Sequence, residues 1–166
     1  MATAFELAHP YGTTRVMSSF YFNDPSMGPP AHENETTISP KITENGLCGN
    51  GWVCEHRWPE IYQMVIFRNT VIGKPVENWW DNGKNQIAFS RGDRGFIAIN
   101  NEGRDLKEIL KTGLPKGRFC DVISGRVDGG ECTGKTIEVD EDGSALIEIS
   151  ADEDNGVIAI HIGKAS

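Results

Sequence analysis

The sequence is short of positive charge. Its 16 Lys and Arg stand against 24 Asp and Glu, a formal net charge of −8. That balance argues against nucleic acid or an anionic membrane surface as partner. The acids are scattered, as on a solvated surface. No apolar run is long enough to span a bilayer, and there is no low-complexity segment. The first eight residues, Met1 to Ala8, lack a basic start, and Glu6 interrupts their apolar run, so they do not form a signal peptide. They read as the last turns of an amphipathic helix. A piece that short is not helical alone in water, so the chain is expected to begin inside a structural element. Nucleophile signatures of the Ser-His-Asp or Cys-His kind are missing. The glycine-rich stretch Gly125 to Gly130 lacks the lysine and helix start of a phosphate-binding loop.

Cysteine is scarce too, and its placement is informative. The four cysteines form two local pairs, Cys48 with Cys54 and Cys120 with Cys132. Neither pair has the short spacing of a zinc half-site, and no histidine follows at ligand distance. Two short-range disulfides in a secreted protein account for them better. Gly49 and Gly51 let the smaller ring turn without steric conflict. Asn34-Glu35-Thr36 is a glycosylation sequon, weak by itself because such triplets arise often by chance.

Along the chain, His9-Pro10-Tyr11-Gly12 ends the first helix, and Thr13 to Phe20 is β-branched and apolar enough for a strand. Residues 23–46 carry Asp24-Pro25, Gly28-Pro29-Pro30 and Ser39-Pro40 and are expected to be irregular. Trp58 to Asn69 predicts a helix, with Pro59 and Glu60 in its first turn and an apolar stripe of Trp58, Ile61 and Val65 beside Met64. Gly73-Lys74-Pro75 marks a boundary. Beyond it the period becomes two. Gln86–Ser90, Gly95–Asn100, Phe119–Ile123, Thr136–Val139, Ala145–Ile149 and Val157–Ile162 predict strands, with turns at Arg91-Gly92-Asp93-Arg94, Asp128-Gly129-Gly130 and Asp142-Gly143. Short strands with turns about every ten residues indicate an antiparallel sandwich. Arg91-Gly92-Asp93 is also the integrin triplet, but a hairpin turn explains it better.

The runs HPYG-TTRVMSS, CGNGWVCEHRW, FRN, NWWDNG with NQIAFSRG, RGFIAINN, TGLP-GRFCDVISG and VIAIHI resemble the animal α-amylases, and among them arthropod enzymes such as those of mites. The resemblance covers nearly the whole chain. It implies a mixed fold: residues 1–73 as the last helix, strand, loop and helix of a (β/α)8 barrel, and residues 74–166 as the antiparallel Greek-key β-sandwich domain that follows. It further implies a monomeric, secreted enzyme that hydrolyses internal α-1,4 bonds of starch and glycogen with retention. The chain itself would have no such activity, because in the family the catalytic aspartate, glutamate and second aspartate lie on barrel strands upstream of Met1, as do the calcium ligands. Loop 23–46, which follows the expected barrel strand, is shorter than in many relatives. One residue carries over: Arg15 in TTRVMSS matches the strand-eight arginine that binds chloride in chloride-dependent members, a role suited to the donor fork of a guanidinium. Paired carboxylates of the kind glycosidases need are not evident within the chain. Glu55, Glu60, Asp81 and Asp93 suit helix starts and turns, and Asp140-Glu141-Asp142 and Asp152-Glu153-Asp154 flank strand ends. Trp79-Trp80 is expected to be buried at the boundary between the two parts. Were it exposed, a carbohydrate-binding β-module without catalysis would be the alternative function. An interaction or immune-recognised protein is a third.

Overall fold

The computed structural model describes residues 1–163, so the last three residues of the expected β domain lie outside the described residues. The fold is mostly antiparallel β structure with two α-helices, α1 (Ala2–Ala8) and α2 (Pro59–Thr70). Two short strands in the loop region, β1 (Lys41–Ile42) and β2 (Cys48–Gly49), pair with each other. Next come β3 (Val76–Asp81), β4 (Gln86–Arg91), β5 (Gly95–Asn100), β6 (Leu106–Lys111), β7 (Gly117–Cys120), β8 (Val127–Asp128), β9 (Glu131–Cys132), β10 (Thr136–Val139), β11 (Ser144–Ile149) and β12 (Val157–His161).

The centre is a four-stranded sheet in the order β12-β5-β4-β3. Every residue of β5 and β12 is buried, so the sheet is covered on both faces. Strand periodicity divides its side chains between two cores. Phe89, Ile97, Ile99, Val157 and Ala159 pack with Ala4, Leu7 and Ala8 of α1 and Ile61, Met64 and Phe67 of α2. Ala88, Phe96, Ala98, Ile158 and Ile160 pack with Leu106, Leu110, Ile137, Val139, Ile147 and Ile149 of a second β layer. That layer comes from nested pairing: β5 pairs with β12, β6 with β11 and β7 with β10, all antiparallel. The stretch from 95 to 161 is thus one long ribbon folded across itself, which closes the sandwich.

Helix α2 presents Ile61, Met64 and Phe67, and Val71 just past its end, at three- and four-residue intervals. The stripe read from the sequence is therefore rotated, because Trp58 is 41% and Val65 39% exposed. The facing sheet decides the orientation. A Cβ on Gly95 would meet Val71 at 2.5 Å and the Phe67 ring at 2.9 Å, so only glycine lets β5 start this close to the helix.

Two arginines hold the helix ends on the sheet. Arg68 donates to the carbonyls of Leu7 (3.2 Å), His9 (2.8 Å) and Gly12 (2.8 Å), and Arg91 to those of Ala8 and Lys74. These include the C-terminal carbonyls that α1 cannot satisfy internally. Arg91 is 3% exposed and forms no ion pair with a carboxylate among the described residues. Oriented carbonyl dipoles supply its counter-charge, while burial and then the neighbouring Arg68 push its pKa down. The triplet Arg91-Gly92-Asp93 is a hairpin turn whose arginine is not available to an outside partner.

Two expectations are corrected, and two strands lie outside those expected. Residues 13–20 form no strand beyond a single antiparallel bridge of Phe20 to Trp52, because among the described residues no strand lies beside 13–18 to accept their hydrogen bonds. The strand expected at Phe119–Ile123 ends at Cys120, where Asp121 turns the chain. Strands β3 and β6 escape the period-two pattern. A bulge between Glu77 and Trp80, with Asn78 at φ 50°, interrupts the alternation in β3. In β6, Leu106, Ile109 and Leu110 carry helix-like spacing, yet Ile109 faces solvent.

His161, at the end of β12, stands edge-on to Phe67 with ring centroids 6.0 Å apart. Its Nδ1 accepts from the Gly163 N–H at 2.9 Å, and its buried Nε2 has no partner. Burial pushes its pKa below the ordinary 6.5. The unfolded chain therefore takes up a proton below that pH which the folded chain resists, so stability present above it is lost as pH falls toward the folded value. Urea midpoints measured at about pH 7 and about pH 5 are expected to drop in the wild type, and less in His161→Gln. An equal drop in both would contradict this role.

Candidate functional site

Segment 15–21 is fastened to the small disulfide ring. Cys48 and Cys54 are bonded, with Cα atoms 5.8 Å apart. Within the ring Asn50, Gly51 and Cys54 all have positive φ. The ring holds the segment through Ser19 N–H to Glu55 at 2.7 Å, Tyr21 N–H to the Gly51 carbonyl at 2.8 Å and Val53 N–H to the Ser19 carbonyl at 2.9 Å. Trp52 meets Phe20 edge-on at 6.2 Å and donates from Nε1 to the Ile38 carbonyl at 2.8 Å. Burial works to raise the Glu55 pKa, but the hydrogen bonds from Ser19 outweigh it and hold the carboxyl below its ordinary value.

Along this segment Val16 packs against the helix core while Arg15 is exposed. Arg15 takes part in none of the ion pairs among the described residues, so its donor fork is open to an anion. Tyr11, Met17, Tyr21 and Phe22 near it in sequence are exposed, as is Ile72, which with Thr14, Val16, Val65 and Arg68 lines a groove beside α2. Asn34 sits on an exposed turn, with its Oδ1 accepting from Thr36 N–H at 3.2 Å. Loop 23–46 is exposed and irregular apart from β1. The second disulfide, Cys120 to Cys132 with Cα atoms 5.4 Å apart, ties the end of β7 to β9.

The two tryptophans of β3 part company at its bulge. Trp80 is half-buried and packs against the second core. Trp79 is 51% exposed, against the expectation of burial. Its ring stacks on Phe89 at 5.7 Å and 11°, and its Nε1 donates to Asp81 at 2.9 Å. Phe89 is braced in turn by Phe5 and His9. Trp79 is therefore an aromatic plate with one face pinned to the core and the other open to solvent.

The carboxylates have local partners. Asp93 pairs with Lys74 at 2.8 Å and Glu141 with Lys116 at 2.7 Å. Asp142 pairs with Lys111 at 2.6 Å, which with the Ser144 donors lowers its pKa to about 2. Asp121 is buried and accepts from the N–H groups of Ile123, Ser124 and Ala159, which pins its turn to β12. Burial raises its pKa against the pull of those bonds. Among the described residues no three His, Cys, Asp or Glu side chains converge as a metal cage. The Arg68 and Arg91 clamps escaped sequence reasoning, whose one cue was an arginine following the buried run Ile87 to Ser90.

Residues 77–163 match the family model for the α-amylase C-terminal all-beta domain. An α-amylase of Tenebrio molitor is 58% identical over 162 residues, covering 98% of this chain and 34% of the relative. One of Tribolium castaneum is 57% identical, covering 98% and 33%. A mutant of α-amylase I from Eisenia fetida, solved in complex with maltohexaose, superposes with a TM-score of 0.87 at 42% identity over 98% of this chain and 34% of that one. The chain thus spans about a third of the length of the curated relatives it matches.

Proposed function

The chain belongs to the α-amylase family, whose C-terminal all-β domain it carries, and on that premise we propose that it serves as the C-terminal part of an enzyme hydrolysing internal α-1,4 bonds of starch and glycogen with retention. The observation that carries this is the match across residues 77–163 together with relatives that are α-amylases along 98% of the chain. The exposed apolar side chains of Tyr11, Met17, Tyr21, Phe22 and Ile72 support a barrel of the same polypeptide packing against residues 1–73. On this view residues 1–73 complete the barrel and residues 74–166 form the β domain.

Chloride fits Arg15, whose guanidinium is exposed and has no carboxylate partner among the described residues. A bound anion beside a general acid raises that acid's pKa and keeps it protonated nearer neutral pH. Arg15 alone would act in the opposite direction, because a bare cation stabilises a carboxylate. No role for calcium follows from the described residues, which bring no ligand cluster together. The disulfides and the exposed Asn34 turn support secretion, and no described helix is long and apolar enough to cross a membrane.

A second reading rests on Trp79. A pinned, half-exposed indole with a carboxylate beside it offers stacking and a hydrogen-bond acceptor to a glucose ring, so the β domain would contact glucan away from the barrel.

Purified chain incubated with soluble starch is expected to release no reducing ends above a blank, with or without chloride; release would show a complete active site and overturn the proposal. The same chain is expected to be retained on insoluble starch and Trp79→Ala to be lost from it, whereas equal behaviour would refute the glucan contact. In the longer enzyme, Arg15→Gln is expected to abolish chloride activation while some hydrolysis survives. A variant as chloride-dependent as the wild type would rule out the anion role.

A further inference from the structure

Four Asn-Gly pairs occur in the sequence, at Asn45, Asn50, Asn82 and Asn155. Such pairs share one spontaneous reaction. The backbone nitrogen of the glycine gives up its proton and attacks the Asn side-chain carbonyl carbon. The bond to the side-chain nitrogen breaks, and ammonia leaves with a proton. Water then opens the five-membered imide at either carbonyl, leaving aspartate or isoaspartate. The balance is one water consumed and one ammonia released, with no oxidant or reductant. The reaction needs a glycine N–H that is not held elsewhere and an amide free to swing onto it.

Those two requirements, and a covalent ring in one case, separate the four sites. Asn82 fails both. Its Nδ2 donates to Gln86 at 3.0 Å and Glu102 at 2.7 Å, its Oδ1 accepts from the N–H groups of Lys84 at 2.9 Å and Gln86 at 3.2 Å, and Gly83 N–H is held by Asp81 at 2.9 Å. At Asn45 the glycine is engaged, since Gly46 N–H donates to the Thr43 carbonyl at 2.9 Å. Asn50 is exposed, and among the described residues its side chain and Gly51 N–H are unbonded, but it sits inside the Cys48–Cys54 ring, whose covalent closure limits the swing of its backbone. Asn155 meets both requirements outside any ring. Its side chain is exposed and makes no hydrogen bond among the described residues, and Gly156 N–H has no acceptor there.

We propose that Asn155-Gly156 is a site of spontaneous deamidation, that Asn82-Gly83 is protected by its fold, and that conversion at Asn155 loosens β12. The last step follows from position. Gly156 is buried at φ 55°, where an added Cβ would meet the Asn100 carbonyl at 2.6 Å, and its own carbonyl accepts the Asn100 N–H at 2.8 Å where the β5–β12 ladder begins. Isoaspartate inserts one more backbone carbon just ahead of that contact. The shift is delivered to a strand with no exposed residue to absorb it.

The test is to age the intact folded protein in mildly alkaline buffer and follow each Asn-Gly peptide by mass spectrometry, with an isoaspartate methyltransferase assay on the same digests. Freeing Asn82 means breaking several hydrogen bonds, each with a net worth, so Asn155 is expected to convert at least about tenfold faster. In denatured, reduced protein the two rates are expected to become similar. A smaller ratio in the folded protein, or the same ratio in the denatured one, would overturn the proposal. Aged wild type is expected to unfold at a lower temperature than fresh, and aged Asn155→Ser at an unchanged one. Aged wild type converted at Asn155 yet unfolding where the fresh sample does would refute the effect on β12.

Discussion

The structure depends on a four-stranded sheet that has no wet face. β5 and β12 are buried from end to end, so both sides of the sheet must be covered by something apolar. The second β layer covers one side because the ribbon from 95 to 161 folds over itself. The helices cover the other: residues 9–58 separate α1 from α2 in sequence, but in space both share one core with Phe89, Ile97 and Ile99. Burial of this kind is worth about 25 cal/mol per Å² of apolar surface, and an aromatic such as Phe67 commits a large share of it to the helix–sheet contact. The boundary at Pro75 is thus a change of topology from helical to β, and the core runs across it.

Covering a sheet with helix ends brings polar backbone inside, and the two arginines answer that. Arg91 is held in the interior by carbonyls alone, and Arg68 joins the C-terminal turn of α1 to α2. Removing the guanidinium from such a site would leave carbonyls without donors, a larger loss than that of a surface ion pair. The surface pairs, Lys107 with Glu148 or Arg118 with Glu138, are exposed on both sides and matter less to the fold.

Most of the β structure was legible because its strands alternate cleanly between the two cores. β4, β5, β10 and β11 appear within a residue of their expected bounds. What failed did so for local reasons. The bulge between Glu77 and Trp80 breaks the register of β3, so burial along it follows no simple alternation and Trp79 stays exposed although its neighbours in β4 are buried. Leu106, Ile109 and Leu110 imitate a helix face. Trp58 and Val65 are apolar but face outward, since helix orientation is set by the sheet it meets. Residues 13–20 have strand composition, but a strand also needs a neighbour. Of the candidate site, Arg15 was readable only through resemblance to a family, because one arginine in a β-branched run says nothing by itself about anions. The exposed plate of Trp79 and the carbonyl clamps arise from tertiary packing and have no signature in composition or spacing.

Helices and sheet share one cooperative core. Amide hydrogen exchange on Phe67→Ala tests it directly, because the substitution lies in α2 and the readout lies in β5 and β12. Truncating a buried phenylalanine costs about 3–5 kcal/mol, and the protection of the β5 and β12 amides is expected to fall by that amount along with that of α2. Strands that keep their protection while α2 alone loosens would contradict it.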